Sequence, residues 1–396
     1  MENMKDRITT SISTPELERR WTAAREMMRE RKIDFLLMRN DEEFLGSYVK
    51  WFTDIPARHS YPFTVIFPVD EEMTTITSGP PAPADPSPPK WAVRGVKSRL
   101  AAPYFPSFHY TGTYDAELAA GVLKERKGAT VGLVGKSFIP MNFFEYLSKN
   151  LPGATFVDAT EEIDRIKVIK SPEEIGLIRA TAEMQDRAMQ HVGKAIRPGL
   201  KEFEIFAEAN YSVTKQGSER GLVLVSSAAP VSTVRYQGRH FQNRTIREGD
   251  RVAVLLEVNG PGGFYTELGR MFCLGQPPQE LQDAFGTARE AQDISVRMLK
   301  PGADPNEIWE TNNAFLQKKG FFPERRLYAH GQGYDLVERP AIRYDEPMKM
   351  SANMNITVHP FAVNEKIWAT LCDNFLVAET GEPVRIHKTP REIIVL

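Results

Sequence analysis

Residues 249–275, GDRVAVLLEVNGPGGFYTELGRMFCLG, decide the fold. Two apolar, β-favouring runs, Asp250 to Val258 and Gly263 to Leu274, are joined by Asn259-Gly260-Pro261-Gly262-Gly263, a cluster with strong turn chemistry. The stretch reads as a hairpin carrying one glutamate on each arm, Glu257 and Glu267. A lone strand glutamate usually points to solvent, whereas a hairpin in the right register sets both carboxylates on one face. The Gly-Pro-Gly-Gly run has no following helix and reads as a turn, not a phosphate cradle.

Three further stretches add chemistry: YAHGQGYDLVERP (328–340), MNITVHPFAV (354–363) and WATLCDNFLVAETGEPVRI (368–386). His330 sits between small residues that let the backbone bend around the imidazole, a setting suited to a metal ligand. His359 and Asp373 follow on two strand-like runs, and His240 precedes the hairpin in Gly238-Arg239-His240-Phe241. In this order the segments resemble the pita-bread superfamily of creatinase, aminopeptidase P and prolidase. The resemblance covers residues 165–396 and, more weakly, the N-terminal part.

The resemblance implies an α+β pita-bread catalytic domain behind a smaller α/β creatinase-like N-terminal domain. In the family's metallopeptidases these segments supply two Asp, one His and two Glu to a pair of metal ions. The corresponding residues here are Leu255, Glu267, His330, His359 and Asp373, with Glu257 beside Leu255 as a stand-in. Leu255 cannot ligate, and an imidazole does not bridge two cations as a carboxylate does. A binuclear site is therefore not expected. One divalent transition metal (zinc, iron, manganese or nickel) on Glu267, His330, His359 and Asp373 is one reading. The other is creatinase-like, with no metal and His240, Glu257, Glu267 and His330 as acid/base groups. The family's second histidine is Val337 here, which removes a group that contacts the substrate carbonyl, and Asp335 or Glu338 would have to supply a replacement acid or base. Arg343 and Tyr344 fall where relatives contact substrate. The resemblance further implies a homodimer whose N-terminal domain covers the partner's active site. Arg58 would then clamp a carboxylate, and Trp51 or Tyr61 would face a cationic group.

The chain has 396 residues, enough for two cores, with 50 basic and 52 acidic side chains. Near-balanced charge gives no field to recruit nucleic acid or an anionic membrane, and points to a small cationic or zwitterionic substrate. The N-terminus MENMKDRITTSIST is polar, and no apolar run reaches the length of a membrane span, so a soluble cytoplasmic protein is expected. Cys273 and Cys372 are too few for a disulfide framework and read as small buried hydrophobes.

A helix over Pro15 to Arg31 with Thr14 as its cap leads into a strand at Asp34 to Met38, then strands at Phe63 to Phe67 and Thr74 to Thr77. The proline-rich segment 79–90 reads as a surface loop. Ser171-Pro172-Glu173-Glu174 forms a capping box opening a long helix, which places the domains at 1–165 and 166–396. Helices at Glu202 to Gln216, Pro278 to Leu299 and Pro305 to Lys319 then alternate with strands at Leu222 to Ser227, Asn355 to Val363 and Trp368 to Ala378. The functions in view are a small-molecule C–N bond hydrolase acting on an unusual amide, amidine or guanidino group, a mononuclear metal-dependent Xaa-Pro-type peptidase or carbon–heteroatom lyase, and a non-catalytic binding module. Retention of several ionisable groups at the site positions argues against the last.

Overall fold

The computed structural model describes residues 8, 10–57, 60–80 and 92–396, which form two compact units, Ser11–Lys167 and Val168–Leu396 with residues 8–10. Arg58 and most of the proline-rich segment lie outside the described residues.

The N-terminal unit is an α/β layer around one six-stranded mixed sheet. Counted along the chain, its strands Phe35–Asn40, Phe63–Pro68, Met73–Ser78, Val96–Ala102, Thr130–Val134 and Thr155–Asp158 stand in the order 4-3-2-1-5-6. The first helix, Thr14–Arg31, begins one residue earlier than its sequence suggests. Ser13, not Thr14, caps it, accepting from the Glu16 N–H. Thr14 has already entered the helix, so its hydroxyl is not placed to cap.

The C-terminal unit opens as expected with the helix Pro172–Ala195 and a complete capping box, Ser171 accepting from Glu174 N–H and Glu174 from Ser171 N–H. Val254, Leu256 and Val258 of the hairpin face this helix, packing with Met189, Val192, Ile205 and Phe272. Because side chains alternate along a strand, Leu255 and Glu257 face the opposite way. On that side lies a second sheet, with Ala329–Gly331, Asn355–Val358 and Asp373–Leu376 as neighbours and Glu338–Ala341 and Val384–Arg385 at its edges. A bridge between Gly269 and Cys372 ties the two sheets.

Two expected continuous strands are each broken. Asn355–Val358 is separated from Phe361–Val363 by His359-Pro360, and Trp368–Thr370 from Asp373–Leu376 by Leu371-Cys372. Pro360 has no N–H to give to a ladder, which explains the first break. Both breaks fall at the site described next. No described helix is long and apolar enough to cross a membrane.

Candidate active site

The strands Arg251–Asn259 and Tyr265–Cys273 pair antiparallel in a register that sets Glu257 directly opposite Glu267, while Leu255 faces Gly269. The carboxylate across from Glu267 is therefore supplied by Glu257, two residues on from the expected position. Both glutamates are buried. Burial raises both carboxyls, Glu267 to about 7, and the charge of Glu267 raises Glu257 further. Like charges face to face in a dry site cannot both ionise easily, so the pair holds a proton between them. Gln332 Nε2 donates to Glu257 Oε1 at 2.9 Å, and Gln332 Oε1 accepts from Asn374 Nδ2 at 2.9 Å. Asn374 Oδ1 accepts in turn from Glu267 N–H at 2.7 Å. This network aims both carboxylates, and neither amide residue stood out in the sequence. Gln332 is the unspecified position between two glycines, and Asn374 looks like any strand residue.

His330 enters from the second sheet. A Cβ on Gly331 would lie 2.1 Å from the Arg339 carbonyl oxygen, and one on Gly333 would lie 2.5 Å from Glu338 Oε1. Only glycine allows the chain to fold this tightly after the imidazole. The loop docks on the hairpin through Tyr265 N–H to Gly333 O at 2.7 Å. His330 Nδ1 lies 2.8 Å from Gly331 O, which makes it the N–H bearer and leaves the Nε2 lone pair, 3.7 Å from Glu267 Oε2, turned into the site. His359 stands beside it, ring centroids 5.4 Å apart. Burial lowers the His330 pKa to about 4; burial and then neighbouring His330 lower that of His359 to about 3. Both rings are thus neutral at pH 7, as metal ligands must be. Glu267, His330 and His359 each offer one ligand atom, all within 4.8 Å of one another. Ligands about 2.1 Å from a common ion stand roughly 3.4 Å apart at the tetrahedral angle, so this nitrogen and oxygen set fits one transition-metal ion after small side-chain adjustments.

Asp373 does not join them. Its carboxylate lies 2.7 Å from Arg270 Nη2, both side chains fully buried, and 3.3 Å from Arg385 Nη1. Burial alone would raise its pKa, but Arg270, with His387 and Arg385, outweighs that and holds it below the usual carboxylate value. Arg270 is itself saturated by the carbonyls of Gly269, Cys372, Thr389 and Pro390. Asp373 is thus a partner of Arg270 and not a ligand. The preceding residue turns the other way: Cys372 Sγ lies 3.1 Å from Thr357 Oγ1 and 3.4 Å from Glu267 O. Cys372 therefore borders the site instead of merely filling the core. Burial, and then Glu267, push its thiol well up, so it stays protonated.

Other sequence candidates fall elsewhere. His240 is exposed on the short turn Arg239–Phe241, its ring 4.2 Å from Phe241, because the loop before the hairpin closes outside the site. Arg343 is taken by Asp345 at 2.7 Å, and Tyr344 is exposed. Glu338 forms a buried pair with Lys170 at 2.6 Å and accepts from Tyr334 N–H, which commits it to holding the loop. Asp335 is buried within that loop, and Val337 is partly exposed. In the N-terminal unit Trp51 is a core residue, with Arg20 5.5 Å above its ring, so it cannot face a ligand. Tyr61 is exposed.

Residues 20–169 match the creatinase/prolidase N-terminal domain. An Xaa-Pro dipeptidase of Pyrococcus horikoshii is 27% identical over 266 residues, covering 65% of this chain and 74% of the relative. The fold is that of the X-Pro aminopeptidase from Thermotoga maritima, with a TM-score of 0.77 at 18% identity over 95% of this chain and 99% of that one. It is likewise that of the prolidase from Pyrococcus horikoshii, with a TM-score of 0.73 at 19% identity over 95% and 100%. Residues 176–389, which carry the glutamate pair and both histidines, match the metallopeptidase family M24, and the chain belongs to that family.

Proposed function

We propose that this protein hydrolyses the C–N bond of small peptides of the Xaa-Pro type with a single divalent transition-metal ion. The observation that carries the reading is the triad of Glu267, His330 and His359, three ligand atoms within 4.8 Å of one another, with Glu267 and His330 buried and His359 half-buried. The relatives named as dipeptidases support the peptide substrate. One ion is favoured over two because Asp373 is spent on Arg270 and Leu255 faces Gly269.

When bound, such an ion acts as a Lewis acid toward the amide carbonyl. The chain's own part is proton management. Glu257, kept protonated opposite Glu267 and fixed by Gln332, gives its proton to the leaving nitrogen. The attacking water returns one proton to Glu257, so the C–N bond breaks with the acid/base group restored. The neutral imidazoles of His330 and His359 keep their lone pairs toward the ion position. Protein reconstituted with manganese, zinc or iron and freed of excess metal should hold one equivalent per chain. It should cleave Xaa-Pro dipeptides, lose activity on chelation and regain it on re-addition. Two equivalents, or full activity without metal, would overturn the reading.

A second reading has its own support in the exposed Val337, where the family's carbonyl-contacting histidine is missing, and in the proton-sharing glutamates. These suit a creatinase-like hydrolase of a guanidino, amidine or unusual amide group, worked by acid/base groups alone. Chelator-resistant turnover of such compounds would select it.

A further inference from the structure

The backbone N–H of Glu267 can only donate, and this fixed polarity runs through two side-chain amides to the opposite carboxylate. It donates to Asn374 Oδ1 at 2.7 Å, so the other end of that amide, Nδ2, is turned to Gln332 Oε1 at 2.9 Å. Gln332 must then present its own NH2 to Glu257, and its Nε2 lies 2.9 Å from Glu257 Oε1. Reversing Asn374 would set its NH2 against the Glu267 N–H, and reversing Gln332 would set its NH2 against that of Asn374.

Asn355 closes the arrangement from the neighbouring strand. Its Oδ1 accepts from Asn374 Nδ2 at 3.2 Å, its Nδ2 donates to Gln332 O at 3.1 Å, and its carbonyl accepts from Gln332 N–H at 2.9 Å. All three amide residues are buried, and none of their side-chain atoms is among the described buried ones that lack a partner. Such a network is rigid, because turning any member leaves buried polar atoms unpaired.

The relay ends on one oxygen of Glu257. Oε1 faces a donor, whereas no hydrogen bond to Oε2 is formed among the described residues. In a carboxylic acid the oxygen that faces a donor is the carbonyl one, and the proton sits on the other. We propose that Gln332 is a positioning residue: held by Asn374, it caps Oε1 of Glu257 and leaves Oε2 as the oxygen that passes the proton to the leaving nitrogen. This rests on the hydrolase reading above. The proton leaves Oε2 as the C–N bond breaks, and the attacking water, whose oxygen joins the carbonyl carbon, returns one to it. Gln332 takes no part in the bond changes and acts only through Glu257.

The test is a double-mutant cycle on Xaa-Pro dipeptides, with metal content shown to be equal in every protein. Gln332→Met keeps the length of the side chain and removes the donor. It should lower kcat about 100-fold and change KM only a few-fold, the loss expected when a reacting group is misplaced. In a Glu257→Gln background, which has no acid to position, the same substitution should cost no more than about threefold further. Gln332→Glu, which keeps the acceptor for Asn374 and removes only the donor, takes its place if the methionine variant does not fold. Equal losses in both backgrounds, or an unchanged kcat, overturn the assignment and leave the peptidase reading in place. The bond itself is read without turnover by NMR of protein carrying 15N in its glutamine side chains. The NH2 signals absent from the Gln332 variant are those of Gln332, and they should shift in Glu257→Leu. If they shift in a protein that cleaves no peptide, the peptidase reading fails and the positioning of Glu257 stands. If they do not shift, the positioning is overturned whatever the substrate.

Discussion

At the residue scale, one step along the chain decides what an acidic group does. Asp373 and Cys372 are neighbours, but their side chains turn to different partners, Cys372 toward Glu267 O and Asp373 toward Arg270. Asp373 instead neutralises Arg270, a guanidinium with no exposure at all. Removing one member of a buried pair leaves the other charge unpaired, which costs about 3–5 kcal/mol. Asp373→Ala is therefore expected to lower the unfolding free energy in urea by that amount. The fraction that remains folded should still bind metal with wild-type stoichiometry, because the triad is intact. Loss of metal from a stable, folded Asp373→Ala protein would instead make Asp373 a ligand.

At the element scale, the loop after His330 is held by close approach. Gly333 has Glu338 Oε1 and Lys170 Nζ where a Cβ would sit, at 2.5 and 2.7 Å, and Glu338 is anchored by the Lys170 pair. A methyl group here must push apart a buried ion pair. Gly333→Ala should destabilise the protein by about 1–3 kcal/mol, the usual cost of overpacking. It should also weaken metal binding, because the loop fixes the peptide oxygen that orients the His330 ring. Calorimetric titration of the metal-free variant checks this, and wild-type affinity would show that the imidazole is oriented without the loop. The same scale explains the two broken strands. A regular ladder would direct alternate side chains to fixed faces, and the interruptions at His359-Pro360 and Leu371-Cys372 free these residues from that alternation.

At the scale of the whole molecule, buried ionisable groups couple folding to pH with opposite signs. His387, away from the triad, is buried with Nδ1 accepting from Asn374 N–H and Nε2 3.0 Å from Gln185 Oε1. Burial lowers its pKa to about 4 against the attraction of Asp373 and Asp186, with Arg270 and Arg385 adding to the drop. The unfolded chain, with a histidine pKa of about 6.5, binds the proton more readily. This contribution to stability is thus complete above about pH 6.5 and is lost as pH falls toward 4. The slope is at most about 1.4 kcal/mol per pH unit for one group. His330 and His359 act in the same direction in metal-free protein. The glutamate pair acts oppositely, since its raised pKa values favour the folded state at lower pH and lose that advantage as pH rises toward 7. Comparing His387→Gln with wild type by urea unfolding at pH 5 to 7 cancels the shared terms. Wild type should lose stability faster on acidification, and parallel curves would show that His387 does not couple.

The sequence by itself determined the local elements and the family frame. Capping chemistry marked the helix at Pro172, turn residues marked the hairpin, and Glu267, His330 and His359 stood out because few other roles suit such groups in apolar strands. These are signals carried by neighbours in the chain. Only the tertiary structure decided that Glu257 and not Leu255 faces Glu267, that Asp373 belongs to Arg270, that His240 and Arg343 lie at the surface, and that Cys372, Gln332 and Asn374 contact the glutamate pair. Each of those depends on strand register, on which face an alternating side chain takes, or on what a distant segment packs against it. Such relations join residues far apart in the chain, and no local pattern encodes them.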